Sequence, residues 1–248
     1  APNTAHASAY SKLHDKSKIE SADLCGSCHD IVTPKGVHLE RTYLEWKMSL
    51  FAHDVPGERQ TCGDCHMKGR TDTAADAPGV PLRRVHDHRM AGVDTALTPF
   101  PETEDQLRQV QRELNTAVVS EICVRQEGDA VVMAAKLENM GAGHSWPSGA
   151  TQDRRAWVEV IAYDDNDQVM FSSGVVSEGQ PLTALEDPQL WRLGDRGFDD
   201  QGEKAHMFWE IASYESLLLP PPNHLHDAGP TPPVHAHLLH DYRFSAAQ

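Results

Sequence analysis

The stretch Cys25-Gly26-Ser27-Cys28-His29 recurs in pattern at Cys62-Gly63-Asp64-Cys65-His66, so the chain contains two copies of Cys-x-x-Cys-His. Two thiols one helical turn apart can each add to one vinyl group of a porphyrin, and the adjacent histidine is then held under the iron as its proximal ligand. The pattern therefore indicates covalent attachment of two c-type haems. The predicted attachment and proximal residues are Cys25, Cys28, His29, Cys62, Cys65 and His66.

Three other uses of paired cysteines compete with haem attachment. Two Cys-x-x-Cys pairs separated by 33 residues can close a tetrahedral zinc site, but zinc needs no histidine after the second cysteine. A thioredoxin-like redox pair requires a neighbouring strand-helix-strand pattern, which neither copy shows. Disulfides that close two-residue loops are strained. These alternatives stay open here, and haem attachment is favoured because it alone requires both histidines.

The charge balance limits the classes of partner. The 248 residues include 22 Lys and Arg against 37 Asp and Glu, which gives a formal net charge of −15. This acidity disfavours nucleic-acid binding, which needs a basic surface. Solubility is the simplest interpretation of the charge. The functional interpretation is attraction to a redox partner protein that presents a basic docking face.

The hydropathy pattern predicts a protein that does not span a membrane, and the haem chemistry predicts that it is exported. No apolar run approaches the ~20 residues needed to cross a bilayer, and no basic-then-apolar leader is present at Ala1. We therefore expect a mature form whose leader has been removed. Because covalent haem addition belongs to the exported side of bacterial membranes, the expected location is the periplasm.

The first 100 residues are predicted to form a mostly helical, haem-packed domain. They hold all four paired cysteines and eight of the fifteen histidines. They have too few large apolar side chains for an ordinary core, so bound haems would supply the missing apolar surface. Tyr43, Leu44, Met48 and Phe51 recur at three- and four-residue spacing, which predicts a helix over 39–51 that packs against a haem face.

Residues 101–248 change from helical periodicity to a period of two. Thr103 and Gln106 stand in capping-box positions for a predicted helix over 104–117, with a linker at 97–103 before it. Alternating segments then predict six strands, with an irregular loop at 178–202. The predicted strands are 117–125, 129–138, 155–163, 168–173, 204–211 and 234–244. The expected fold class is therefore α+β, with an antiparallel β-sandwich domain over 101–248 after the haem domain.

Residues 8–97 resemble the multihaem c-type cytochromes in their attachment motifs and in the segment Tyr43-Leu44-Glu45-Trp46. The segment 141–149, which contains His144, together with Arg154-Arg155-Ala156-Trp157, is similar to an all-β domain that follows the haem domain in some bacterial members. Many relatives have four or more attachment motifs, whereas this chain has two. The resemblance implies periplasmic electron transfer through bound haem, and it names no substrate.

The sixth ligand of each iron determines whether the protein can act as an electron carrier or as a catalyst. A second histidine fills the coordination shell and favours electron transfer, whereas an open position admits small molecules. The resemblance implies distal ligands at His14 and His88. We expect crossed ligation, with His14 on the second iron and His88 on the first, because a distal ligand near its own proximal histidine leaves little chain to pass around the haem edge. His144 is the runner-up distal ligand, although a hydrogen-bonding role in a turn is preferred for it.

Three further features carry weaker expectations. Cys123 is expected to be a buried, inert thiol in a strand. Arg154 and Arg155 are candidates to bind haem propionates, with surface salt bridges as the default interpretation. His235 and His237 would share one face of a strand, a geometry that a copper or zinc site can use, although such pairs are commonly solvated.

The function expected from the sequence is that of a periplasmic dihaem c-type cytochrome, which relays single electrons between redox partners and is not an enzyme. Two other classes remain open. One is a peroxidase- or reductase-like haem enzyme, and the other is a redox or gas sensor. In both, one iron is open to small ligands.

Overall fold

The computed structural model describes residues 11–15, 18–53, 57–222 and 237–245. Within these ranges the chain forms four α-helices and several single 3-10 turns. The helices are α1 (Ser21–Gly26), α2 (Thr42–Lys47), α3 (Cys62–His66) and α4 (Thr103–Ala117). The 3-10 turns are Lys12–His14, Leu50–Ala52, Thr151–Asp153 and Leu182–Ala184.

The strands of the described residues are short in the first half of the chain and longer in the second. They are β1 (Ile31–Val32), β2 (His38–Glu40), β3 (Gly69–Thr73), β4 (Leu82–His86), β5 (Val118–Glu127), β6 (Ala130–Asn139), β7 (Ala156–Trp157), β8 (Val160–Tyr163), β9 (Val169–Ser173), β10 (Arg192–Phe198), β11 (Lys204–Ala205), β12 (Ser213–Leu217) and β13 (His237–Ser245). Every pairing between them is antiparallel.

These strands form three hairpins and two larger sheets. The hairpins are β1–β2, β3–β4 and β8–β9. One sheet has the order β13-β6-β5, and the other has the order β11-β10-β12 with β7 also paired to β10. Helices and antiparallel sheets are therefore combined without parallel β-α-β units in the described part, which confirms the predicted α+β class.

The first 100 residues depart from the mostly helical arrangement expected for them, because α1, α2 and α3 are short and share the region with two hairpins. The predicted helix over 39–51 begins only at Thr42, since Leu39 and Glu40 belong to β2. The Glu40 side chain explains this start, because its Oε1 accepts from Thr42 N at 3.2 Å and from Thr42 Oγ1 at 2.5 Å. The carboxylate thereby satisfies a backbone donor of the first helical turn.

The apolar core lies in the second half of the chain. It joins the inner face of β6 and β13 to residues of β8, β10 and the segment after β12. Its buried members are Met133, Ala135, Val160, Trp191, Leu193, Leu219 and Tyr242. Met133 pairs with Tyr242 on one side and Val124 on the other, so the register of the three-stranded sheet turns these side chains toward the same face.

Two predictions for the second half are wrong in detail. The segment 178–202 was expected to be a loop, but β10 lies within it and is the central strand of its sheet. The hydropathy of this strand does not alternate clearly, because the strand contains Gly194, Asp195 and Gly197. Gly197 is needed because a Cβ at this position would lie 2.6 Å from Ala205 O. Asp195 is tolerated in the strand because it is buried beside a cationic partner. The predicted strand over 204–211 is reduced to β11.

The helix predicted over 104–117 is confirmed as α4, but its predicted capping box is absent. The hydroxyl of Thr103 instead accepts from Phe100 N and donates to Phe100 O. Beyond α4, β5 is an edge strand, and Cys123 on it is exposed rather than buried. The sequence pattern correctly predicted a strand at this position. Alternation alone does not show whether another element covers the strand, and none of the described residues covers Cys123.

A buried ion pair ties the first half of the chain to the second. Arg41 Nη1 donates to Asp195 Oδ2 at 2.9 Å and Arg41 Nη2 donates to Asp195 Oδ1 at 3.3 Å. The hydroxyl of Thr151 also donates to Asp195, whose side chain is fully buried. Ser148 adds a second link, because its hydroxyl donates to Glu45 Oε2 at 2.7 Å. The motif-bearing segment is therefore held on the β-rich part by desolvated polar contacts.

Glu45 makes the stability of this contact depend on pH. Burial raises the pKa of Glu45, although the hydrogen bond from Ser148 and the charge of Arg41 oppose the shift. The folded state therefore binds this proton more tightly than the unfolded state does. The stabilisation from protonated Glu45 is fully present below the pKa of Glu45 in the unfolded state, and it is lost as the pH rises through the pKa of Glu45 in the folded state. We expect Glu45→Gln to stabilise the protein at pH 7 but not near pH 4. Urea unfolding at both pH values checks this, and an equal effect at both would contradict it.

Candidate haem-binding site

The first motif is presented by α1 and the turn that follows it. His29 N donates to Cys25 O at 2.9 Å, so the helical backbone continues into the histidine. Gly26 is required here, since a Cβ at this position would lie 2.6 Å from the ring of Tyr43. Tyr43 N in turn donates to His29 O at 3.0 Å. The His29 side chain is 65% exposed, so its ring is accessible from solvent.

The second motif is α3 itself, which begins with a capping box. Thr61 N donates to Asp64 Oδ2 at 2.9 Å, and the Thr61 side chain accepts from the backbone of the third helical residue. His66 Nδ1 donates to Ala91 O at 2.7 Å. A ligating histidine usually donates its second ring nitrogen in this way, which fixes the tautomer and leaves Nε2 for the metal.

The two motifs meet at their first cysteines. The thiol of Cys62 donates a hydrogen bond to the sulfur of Cys25, and this bond is the main cause that lowers the pKa of Cys25 to about 6. The same bond, together with burial, raises the pKa of Cys62. None of the five cysteines forms a disulfide. The attachment edges of both motifs therefore lie side by side.

His144 reaches this region from the loop after β6. Asn139 Nδ2 donates to His144 O at 2.7 Å, and Asn139 Oδ1 accepts from Ala142 N at 3.0 Å, so one buried amide shapes the loop. Gly143 allows the loop to approach the first half of the chain, because a Cβ there would lie 3.2 Å from the ring of Phe51. A larger residue at position 143 would therefore crowd this contact.

His144 and His66 face each other. Their ring centroids lie 6.4 Å apart, and the ring planes differ by 10°. His144 Nδ1 donates to Ser145 O at 2.8 Å, so both rings use Nδ1 for a backbone carbonyl. Burial lowers the pKa of His144, and the proximity of His66 and His29 lowers it further. The His144 imidazole is therefore favoured in the neutral form that ligates metals.

His29 has a different partner. Its Nδ1 lies 3.5 Å from Glu40 Oε2, and the Glu40 side chain is buried. Glu40 Oε2 has no hydrogen-bond partner among the described residues. A carboxylate beside a ligating histidine raises the basicity of the ligand. No sequence pattern indicated this contact, since Glu40 stands in a two-stranded hairpin eleven residues after His29.

A cavity of about 300 Å³ adjoins the second motif, and both cationic and anionic side chains line it. It touches Cys65 and His66 as well as Lys68, Arg70 and Arg112. Guanidinium and ammonium groups bind carboxylates, which is the chemistry of haem propionates. The residues around the second motif therefore suit an iron porphyrin in two respects: two thiols and a tautomer-fixed histidine. The cations of the cavity are balanced by the carboxylates of Asp87, Asp105 and Glu113, and Lys68 is paired with Glu113.

The structure places the two preferred distal candidates apart from these contacts. His14 ends an exposed 3-10 turn, with its Nδ1 3.3 Å from Ser11 Oγ. His88 is exposed in the loop after β4 and lines a cavity of about 450 Å³ with His86 and Phe100, which shares Arg70, Asp87 and Arg89 with the cavity beside the second motif. Neither has a ring contact with His29 or His66 among those that the structure shows, so both remain predictions.

Other predicted contacts resolve in simple ways. Arg154 binds Asp94, with a distance of 3.0 Å from Nη2 to Oδ2, which is the salt-bridge interpretation. His235 lies outside the described residues, whereas His237 begins β13.

Across the described ranges no three His, Cys, Asp or Glu side chains converge as a metal-binding group, so the four motif thiols do not form the tetrad of the zinc alternative. In the same ranges, no helix has both the length and the apolar composition to cross a bilayer.

Comparison with known proteins gives one structural likeness. No protein-family model and no curated protein matches the chain. The fold is similar to that of a penta-heme cytochrome c552 from Thermochromatium tepidum, with a TM-score of 0.55, 21% identity and coverage of 91% of this chain. The chain spans about half the length of that protein, namely 45%. At this identity the likeness concerns the fold, and it extends over both the motif-bearing and the β-rich parts.

Proposed function

We propose that the protein is a dihaem c-type cytochrome that relays single electrons between redox partners. The observation that carries the proposal is the contact between Cys25 and Cys62, the first thiols of the two motifs. Groups attached there would share an edge, and electron transfer between redox centres becomes faster as their edges approach. Bound haem would supply the redox-active iron, while this chain sets the spacing and the axial ligands.

The likeness to the penta-heme cytochrome c552 supports the same proposal, because the similar fold covers 91% of this chain. We extend the proposal to the organisation expected from the sequence, with a haem domain over residues 1–100 and a β-sandwich domain over 101–248. The core shared by β6, β8, β10 and β13 supports a sandwich, since it joins two layers of antiparallel strands. A periplasmic location and a partner with a basic docking face remain part of the proposal, the latter supported by the net charge of −15.

The test is the spin state of the oxidised and reduced protein. A carrier with two histidine-ligated irons is expected to be entirely low-spin and to bind no carbon monoxide. Absorption and electron paramagnetic resonance spectra measure the spin state, and carbon monoxide titration counts open irons. A substantial high-spin fraction that binds carbon monoxide would contradict the carrier.

A second candidate is supported by the contact between His29 and Glu40. A buried carboxylate 3.5 Å from the proximal Nδ1 makes the imidazole a stronger electron donor to its iron, which favours cleavage of bound peroxide or reduction of another small molecule. The first iron would then be catalytic and the second would supply electrons. One equivalent of carbon monoxide bound per chain, and lost when Cys25→Ser and Cys28→Ser remove the first haem, would favour this candidate.

A further inference from the structure

We propose that His144 is the sixth ligand of the iron attached at the second motif, opposite His66 across one metal. This inference rests on the proposed function, because it presupposes a haem at Cys62 and Cys65. It replaces His14 in the pairing expected from the sequence. It also assigns the β-rich part a direct role, since one of its loops completes the redox centre of the other part.

The first support is the geometry of the two rings. A metal–nitrogen bond of about 2.0 Å and a further distance of about 1.1 Å to each ring centre separate two opposed imidazoles by about 6 Å. The observed separation of 6.4 Å between the centroids of His66 and His144 agrees with this value. The planes differ by 10°, and two axial imidazoles of one metal can adopt this nearly parallel orientation.

The second support is the tautomer of each ring. His66 Nδ1 is bonded to Ala91 O, and His144 Nδ1 is bonded to Ser145 O. A carbonyl oxygen can only accept, so each Nδ1 carries a proton and each neutral ring keeps its lone pair on Nε2. Both rings therefore present the nitrogen that ligates iron.

The third support is the rigidity with which the His144 loop is held. Trp146 exchanges two backbone hydrogen bonds with Leu219, at 2.8 and 2.9 Å, immediately after the histidine. Asn139 holds the carbonyl of His144 from the other side and is itself anchored to Pro220 O at 3.2 Å. An axial ligand requires this kind of fixed support, and the exposed His14 and His88 show less of it.

The loop that contains His88 has a different role in this account. The carbonyl of Ala91, three residues after His88, accepts a hydrogen bond from His66 Nδ1, the ring nitrogen that would not bind the iron. The loop therefore supports the proximal side of the second iron, whereas a sixth ligand must approach from the opposite side. Ala91 acts through its backbone, so the sequence of the loop does not show this function.

The experiment uses the exported, haem-loaded protein with only the second haem retained. Cys25→Ser and Cys28→Ser remove the first attachment site, and pyridine haemochrome analysis confirms that one haem remains. In this background we expect His144→Ala to convert the iron from low-spin to high-spin, with one carbon monoxide bound per chain after reduction. Added imidazole is expected to restore the low-spin spectrum. Matched variants His14→Ala and His88→Ala are expected to remain low-spin.

The outcomes separate this inference from the proposed function. Persistence of the low-spin spectrum in His144→Ala, or conversion by His14→Ala or His88→Ala instead, overturns the assignment while leaving the carrier intact. Absence of covalent haem in the unmutated protein overturns the proposed function itself. If His144→Ala does not accumulate, His144→Met provides a second readout, because a methionine ligand raises the reduction potential. A midpoint potential unchanged by His144→Met also overturns the assignment.

Discussion

A chain in which both thiols of the second motif are replaced, by Cys62→Ser and Cys65→Ser, is expected to carry one covalent haem instead of two. Serine cannot form the thioether bond, so the second macrocycle loses both of its attachment points. The haem content should therefore fall by half, and the intact mass should decrease by one haem. Pyridine haemochrome analysis and mass spectrometry of the exported protein measure these two quantities.

Cys123→Ser provides the matched control for this variant. Cys123 is a cysteine of the same chain that lies on the exposed edge strand β5, outside both motifs. We expect the control to keep two haems and an unchanged spectrum. If the double variant retained two covalent haems, or if Cys123→Ser lost one, the assignment of the attachment sites would be wrong.

The second large effect concerns the ion pair between Arg41 and Asp195. Removal of Asp195 leaves the largely buried Arg41 with only the carboxylate of Glu45, whose Oε1 lies 3.5 Å from Arg41 Nε. Loss of one partner of a buried ion pair costs about 3–5 kcal/mol in comparable cases. We therefore expect Asp195→Ala to lower the free energy of unfolding by about this amount. The loss arises at the contact between the motif-bearing segment and β10, so the two parts should also separate more easily. Urea unfolding followed by circular dichroism and by haem absorbance measures both effects.

The same strand offers an exposed pair for comparison. Arg196 Nη2 lies 3.6 Å from Glu215 Oε2, and both side chains are about two-thirds exposed, at 66% and 64%. Glu215→Ala is expected to cost roughly 0–1 kcal/mol, because solvent screens the interaction. Similar losses in the free energy of unfolding for Glu215→Ala and Asp195→Ala would show that the contribution of Asp195 to stability does not depend on its burial.

Local patterns in the sequence predicted the elements that depend on neighbouring residues. The apolar spacing of α4 and the alternation over β6 and β9 each reflect one face that meets a core, and these elements are present as expected. β5 is present as well, although its side chains are mostly exposed. The strand predicted over 155–163 is divided between β7, which pairs with β10, and β8, which pairs with β9. The motif spacing likewise specifies two thiols and a histidine on one helical turn. In all these cases the determining contacts lie within a few residues of each other.

The missed features depend on residues that are distant in sequence. Strand β10 has a polar, glycine-containing sequence because Asp195 is paired with Arg41, 154 positions away. The exposure of Cys123 follows from the position of β5 at a sheet edge, which alternation does not reveal. Hydrogen bonds from the Nδ1 atoms of His66 and His144 to backbone carbonyls leave no side-chain pattern. The resemblance therefore favoured His14 as the distal ligand of the second iron, whereas the geometry favours His144.

The account stands on covalent haem at both motifs, and the haem content of the exported wild-type protein tests this most directly. Pyridine haemochrome analysis, combined with intact mass, counts the attached macrocycles independently of spin state and of axial ligation. We expect two haems for each polypeptide. A colourless protein, or one whose mass equals that of the polypeptide alone, would contradict the account.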